Sequence, residues 1–254
     1  MNMNEFPRAL LSIDTNAKTV KGAKFGFKTG ILYFAPADIS GKPVCAMAAI
    51  AGCKKACLFT AGRGKFTPVQ NARIRKTQLF FSRRDEFMSL LVRDVMKLEI
   101  SAAHDGLTPL VRLNGTSDIK WENIPVVRDG VTYANIMLAF PDVQFYDYTK
   151  IANRKNLPAN YDLTYSYSGT VAYLPYVEKA IKAGMRIAAV FRTVADIPAN
   201  FMGLECIGGD DSDIRHLEPK NVVVALYAKG KAIFDTTGFV VDALRTIPLM
   251  PVAA

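Results

Sequence analysis

The sequence predicts an α/β fold: a partial or irregular TIM-like (β/α) barrel of mostly parallel strands with a short N-terminal β extension. Three observations lead there. Short apolar or β-rich runs return at intervals, most of them continuous, as strands buried on both faces are. Helical patterns fit between some of these runs, and polar residues gather at their C-terminal ends, where α/β barrels build their active face. The chain has 254 residues, enough for one such domain with a real core. No internal repeat, low-complexity tract or interdomain linker divides it, so a single domain is expected over residues 1–254. Within it, residues 1–30 form the β extension and residues 31–228 the barrel-like core, with a cysteine loop at 43–64. Residues 229–254 form a C-terminal segment.

In order along the chain, residues 10–13 are short and apolar, and Asp14-Thr15-Asn16 is a turn signal. Residues 18–28 alternate loosely, and residues 31–35 form the first clear strand. Thr67-Pro68 marks a helix start, with Thr67 as N-cap and proline at the first helical position. The apolar pattern from Val69 to Leu98 then predicts one long helix or two, with a break near Ser82-Arg83 and an end before Gly106. Further strands are expected at residues 109–113, 143–148, 163–166, 186–191, 204–207 and 222–227. A helix over 171–183 ends at Gly184, as a C-terminal glycine should end one.

Half of the residues are hydrophobic and 22% charged, with a formal net charge of +9, which is ordinary for a globular chain apart from the charge. No apolar run approaches the ~20 residues of a membrane-spanning helix, and the N-terminus lacks a secretory pattern. A cytoplasmic setting is expected, the host cytoplasm if the protein is viral. There, cysteines serve more often as ligands, catalysts or core residues than as disulfides. The charge is uneven. From residue 54 to 84 every charged side chain is basic: Lys54, Lys55, Arg63, Lys65, Arg73, Arg75, Lys76, Arg83 and Arg84. Such a run either attracts an anionic partner, nucleic acid included, or forms a solvated helix face.

Three of the four cysteines, Cys45, Cys53 and Cys57, lie in one loop. On an unbroken helix Cys45 and Cys57 would stand ~18 Å apart at 1.5 Å per residue, too far for one metal centre. A shared site requires a bend, and Gly52 is the natural place for it. Three readings compete. Structural zinc wants four ligands, so Cys206, His104 or His216 would have to join from a distance. An iron–sulfur cubane can take three thiolates and leave one iron open. The third reading is that the cysteines are small buried side chains within an alanine-rich segment.

The cysteine loop after a first strand resembles the radical S-adenosylmethionine superfamily, whose fold is a partial (β/α)6 barrel. That resemblance implies that Cys45, Cys53 and Cys57 ligate a [4Fe-4S] cluster whose unique iron binds S-adenosylmethionine, generating a 5′-deoxyadenosyl radical that acts on an unknown substrate. It also implies that Asn114, Gly115, Thr116, Ser117 and Asp118 take the place of the motif holding the methionine amino group. Ser166 and Ser168 would then contact the ribose. The cysteine spacing is wider than the superfamily's, and Ala56 stands where an aromatic residue is usual. The segment Ala51-Gly52-Cys53-Lys54-Lys55-Ala56-Cys57-Leu58, with Gly62-Arg63-Gly64, is similar to a group of bacteriophage proteins. The reading from a different class is a non-catalytic nucleic-acid-binding protein with a structural zinc clip and a basic helix.

Secondary candidates are Asp210, Asp211 and Asp213 with His216, as a cation or acid–base site or as turn and N-cap residues. Gly62-Arg63-Gly64 is a weak phosphate-cradle signal. Trp121 with Tyr146, Tyr148, Tyr165 and Tyr167 would stack on a base or pack the core.

Overall fold

The computed structural model describes residues 7–13, 22–54, 57, 59 and 62–242. Twelve strands are resolved among them: β1 (Leu11–Ile13), β2 (Phe27–Leu32), β3 (Thr108–Arg112), β4 (Val126–Arg128), β5 (Val131–Tyr133), β6 (Gln144–Thr149), β7 (Tyr161–Ser166), β8 (Arg186–Phe191), β9 (Asn200–Phe201), β10 (Leu204–Gly208), β11 (Val223–Tyr227) and β12 (Val240–Val241). The helices are α1 (Ala37–Ser40), α2 (Thr67–Ser82), α3 (Arg84–His104), α4 (Ile136–Ala139) and α5 (Leu174–Lys182).

Ten strands form one sheet in the order β1-β2-β3-β6-β7-β8-β11-β10-β9, with β12 added beside β8. From β2 through β10 every pairing is parallel, and only the edge strands β1 and β9 run antiparallel. The class is therefore mixed α/β with a mostly parallel central sheet, and no closed barrel is found among the described residues. The final strands also depart from simple succession, because β11 inserts between β8 and β10.

Several predicted elements fall in place and some shift. Strand β8 occupies its expected residues, and the strands at 109–113, 143–148, 163–166, 204–207 and 222–227 move by at most two residues at either end. The first parallel strand covers Phe27–Leu32, ahead of the predicted 31–35. Its polar residues are buried. The Lys28 ammonium pairs with Asp105, and a Cβ at Gly30 would lie 3.1 Å from both Leu11 and Leu98, so close packing replaces side-chain hydrophobicity. Phe66, not Thr67, is the residue preceding α2, and Pro68 sits in its first turn. The break at Arg83 is present, with φ −141° and ψ 64° between α2 and α3. The predicted helix over 171–183 begins as a 3-10 turn, Val171–Tyr173, before α5.

Helix α3 covers β2 and β3 on one face of the sheet through Phe87, Leu91, Val95 and Leu98, all fully buried. The elbow between α2 and α3 closes over an aromatic group. Phe80 lies 5.1 Å from Phe34, 5.1 Å from Phe87 and 5.3 Å from Trp121, centroid to centroid. The opposite face meets the segment between β10 and β11, where Ile214 packs on Leu110 and Tyr146. Arg112 Nη1 donates to Asp213 Oδ2 at 2.9 Å, and Arg215 Nε donates to the Tyr148 hydroxyl at 2.7 Å. This segment thus occupies the face that would line a barrel's interior.

Candidate metal centre

The cysteine loop leaves the C-terminal end of β2 and bends at Gly52, whose φ is +64°. That left-handed backbone suits glycine, and the surroundings admit nothing larger. A Cβ at this position would lie 2.7 Å from Thr237 Oγ1 and 2.9 Å from Thr170 Oγ1. The bend is pinned from both sides. Ser168 Oγ donates to the Ala51 carbonyl at 2.7 Å, and Thr237 Oγ1 donates to the Gly52 carbonyl at 3.0 Å. The predicted bend is present, and Ser168, just past β7, is one of its anchors.

Cys45 pairs as an isolated parallel bridge with Asp118, just past β3, and the Asp118 amide donates to the Val44 carbonyl at 2.8 Å. The Cys45 thiol faces the Thr116 carbonyl at 4.0 Å, and the Cys53 thiol faces the Ala48 carbonyl at 3.8 Å. All four cysteines are free thiols. Burial pushes the Cys45, Cys53 and Cys57 thiols up in pKa. At Cys45 the next causes are Asp118 and the charges of Cys57 and Cys53 themselves. At Cys53, Lys150 opposes the rise and Cys57 adds to it. At Cys57 the further influences are the Phe59 backbone and Arg73, both lowering. Among the described residues, however, no three His, Cys, Asp or Glu side chains stand close enough together to hold a metal ion. Residues 55, 56, 58, 60 and 61 of the same loop lie outside the described residues.

Two cations, Lys150 and Arg73, act electrostatically on the thiols. The Lys150 ammonium, following β6, donates to the Ser166 carbonyl and hydroxyl at 3.1 Å each and to the Tyr167 carbonyl at 3.3 Å. It lies over the rings of Phe239 at 4.9 Å and Tyr173 at 5.2 Å. Desolvation lowers its pKa, and Cys53, Asp118 and Cys45 counter that effect. Arg73 of α2 is buried, donates to the Phe59 carbonyl at 2.7 Å, and lies over the rings of Tyr33 and Phe59. Desolvation lowers its pKa too, against Tyr33 and Cys57.

The segment after β3 is committed mainly to its own loop. Asn114 Oδ1 accepts from the Ser117 hydroxyl, the Ile119 amide and the Trp121 indole at 2.8, 2.9 and 3.1 Å. Gly115 approaches β2 so closely that a Cβ would lie 2.6 Å from the Leu32 carbonyl. The Thr116 hydroxyl donates to the Phe34 carbonyl at 2.6 Å. Asp118 accepts from Thr149 Oγ1 and the Lys150 amide, both at 2.8 Å, with Arg154 at 3.6 Å. Ser166 faces Lys150. Of the predicted residues, Thr116, Asp118 and Ser168 touch the cysteine loop, whereas Asn114, Gly115, Ser117 and Ser166 contact their own loop, β2 or Lys150.

Other candidates lie elsewhere. Cys206 sits on β10, and burial alone raises its thiol. Asp210 pairs with Lys229, and Asp213 with Arg112. His216 packs its ring edge-on to Phe27 at 5.2 Å. Gly62-Arg63-Gly64 opens a 3-10 turn in which a Cβ at Gly64 would meet the Phe59 carbonyl at 2.1 Å. Trp121, Tyr146 and Tyr165 are buried in the fold. The basic run is not a uniform solvated face: Arg73 and Lys76 are buried, Lys54 pairs with Asp38 at 2.7 Å, and Arg83 pairs with Glu86 at 2.5 Å.

Lys150 is the neighbour of the thiols that sequence reading missed. A lysine directly after a β-rich run was the available signal, but its reach to the cysteine loop depends on the order of the sheet.

A family model described as Gene product 88 matches residues 9–243. No curated protein matches the chain, and no solved structure matches it.

Proposed function

For a chain that belongs to the Gene product 88 family of bacteriophage proteins, we propose a cysteine-ligated iron–sulfur centre of radical S-adenosylmethionine-like type. Cys45, Cys53 and Cys57 would be its ligands. The observation that carries this reading is that one loop, bent at Gly52, supplies three free thiols beside the C-terminal ends of parallel strands, although among the described residues they do not form a metal-holding group as they stand. The donor set suits the group. It consists of three soft sulfurs, and soft thiolates select iron–sulfur centres, zinc or Cu(I) over hard cations.

When bound, a [4Fe-4S] cluster held by three cysteines supplies a one-electron couple and an open iron. The chain's own residues do the rest. Burial holds the thiols protonated, so ligation must displace protons, and the loop must draw its sulfurs closer together. Ser168 and Thr237 fix the bend from which Cys53 and Cys57 depart. S-adenosylmethionine is the cofactor proposed for the adjoining loop at residues 114–118. Because most polar side chains there already serve the loop, its backbone carbonyls and Ser166 remain as the contacts of this reading.

Anaerobically purified protein should contain iron and acid-labile sulfide and absorb broadly in the visible. Cys53→Ala should remove most of the iron. Colourless wild-type protein without sulfide, or a Cys53→Ala variant with unchanged iron, would overturn the assignment.

A further inference from the structure

We propose that the outer face of α2, together with the turn at residues 62–66 before it, is a docking surface for single-stranded nucleic acid, with Phe66 as the platform for an unpaired base. The proposal stands on surface residues and is independent of any metal at the cysteines.

No acidic residue occurs between Asp38 and Asp85, and the fold puts the cations of this stretch to different uses. Arg73 and Lys76 are buried and donate to the Phe59 and Leu10 carbonyls. Arg84 donates to the Phe80 carbonyl and lies over its ring. These three serve the core. Lys54 and Arg83 pair with Asp38 and Glu86. Lys42, Lys65 and Arg75 do neither. The first two are exposed and Arg75 is half-buried. Among the described residues none of the three has a carboxylate within ion-pair distance. Their charge is therefore available to an anionic partner.

The three cations are strung along one helix. Gln70 Nε2 donates to the Gly64 carbonyl at 3.1 Å, which holds the turn carrying Lys65 against the start of α2. Lys42 lies over the Phe81 ring at 5.9 Å, near the other end. Gln70 and Phe81 share one flank of the helix, about three turns or ~16 Å apart at 1.5 Å per residue. Asn71, Arg75 and Gln78, spaced for a single face, lie on the adjacent outer side. Phe66 is 53% exposed, with the Lys65 ammonium 5.8 Å from its ring centroid. An aromatic ring on a fixed turn, with cations beside it and along a helix, combines base stacking with a track for phosphates, as sequence-tolerant single-strand binders do. A duplex keeps its bases stacked and offers Phe66 no free face. An anionic membrane calls for an apolar face beside the cations, whereas Asn71 and Gln78 put amides there.

The test uses the full chain and a fluorescent oligothymidylate, with binding followed by anisotropy across a range of sodium chloride concentrations. Wild type should bind at low salt and weaken steeply as salt rises. Lys65→Gln and Arg75→Gln should each weaken binding and flatten the slope of log affinity against log salt by about 0.7, the loss of one single-strand phosphate contact. Phe66→Ala should weaken binding about tenfold without changing that slope. Phe66→Trp should keep wild-type affinity or exceed it, and Phe66→Lys should lose the stacking share; these two decide the point if Phe66→Ala does not fold. Lys182→Gln, which removes an exposed charge from α5, should leave affinity and slope at wild-type values. Absence of binding at low salt, an equal loss in Lys182→Gln, or affinity indifferent to the residue at 66 would overturn the proposal. So would a duplex of the same length bound more tightly, or anionic vesicles bound in preference to the oligonucleotide. Metal content enters none of these readouts, so the iron–sulfur assignment stands or falls on its own test.

Discussion

Gly52 carries the tightest local demand in the cysteine loop. Its positive φ and its contacts with Thr170 and Thr237 act against any side chain at once. Gly52→Ala should therefore destabilise the protein by about 1–3 kcal/mol, and metal content should fall with it. Denaturant titration and iron analysis on the same sample check both effects. Ser168→Ala is milder, removing one hydrogen bond to the Ala51 carbonyl at a cost of about 1 kcal/mol. It should loosen metal retention while leaving the fold intact. At this scale much was legible. The cysteine spacing pointed to a bend, and glycine was the residue for it. The roles of Ser166 and Ser168 were less so. Ser168 secures the loop and Ser166 receives the Lys150 ammonium, through contacts between residues far apart in sequence.

The elbow of α2 and α3 is the element on which the site's wall leans. Trp121 closes it from the segment after β3 and ties it to the site through its indole bond to Asn114. Trp121→Ala should cost about 3–5 kcal/mol, as large-to-small changes in packed cores do, measurable by urea denaturation. Elements like this one show where pattern reading succeeds. The helix break at Arg83 was readable because apolar periodicity lapses there. Strand β8 was readable because its apolar run is bounded on both sides. Strand β2 was displaced because Lys28, Thr29 and Gly30 do not read as core, although Asp105 and the packing around Gly30 make them so. The hairpin of β4 and β5 was overlooked although Asp129-Gly130 stands at its turn with positive φ at both residues, a strong local signal.

At the scale of the molecule, a mostly parallel sheet was foreseeable from continuous apolar strands, and its strand order was not. The insertion of β11 between β8 and β10 is set by long-range pairing. So is the placement of the segment carrying Asp213 and Arg215 across the inner face. These rest on partners about a hundred or seventy residues away, such as Arg112 and Tyr148, which no local window contains. Buried charge also gives the whole fold a pH signature. Burial raises the Asp147 carboxyl from 3.8 to about 7. The folded state therefore holds a proton that the unfolded state has lost between those values. By linkage, stability falls as pH rises from about 4 to about 7. Asp147→Asn should flatten that slope, while weakening the bonds from Asn114 and Tyr161. Thermal melts across this range distinguish the two.

The proposal that three cysteines of one loop hold a single inorganic centre can be put to a spectroscopic test. Iron-edge X-ray absorption on the anaerobically purified chain tests it most directly. A single cysteine-ligated cluster gives iron surrounded mainly by sulfur and a short iron–iron vector, both lost in Cys53→Ala. Absence of iron, or iron ringed by oxygen and nitrogen with no neighbouring iron, would contradict it.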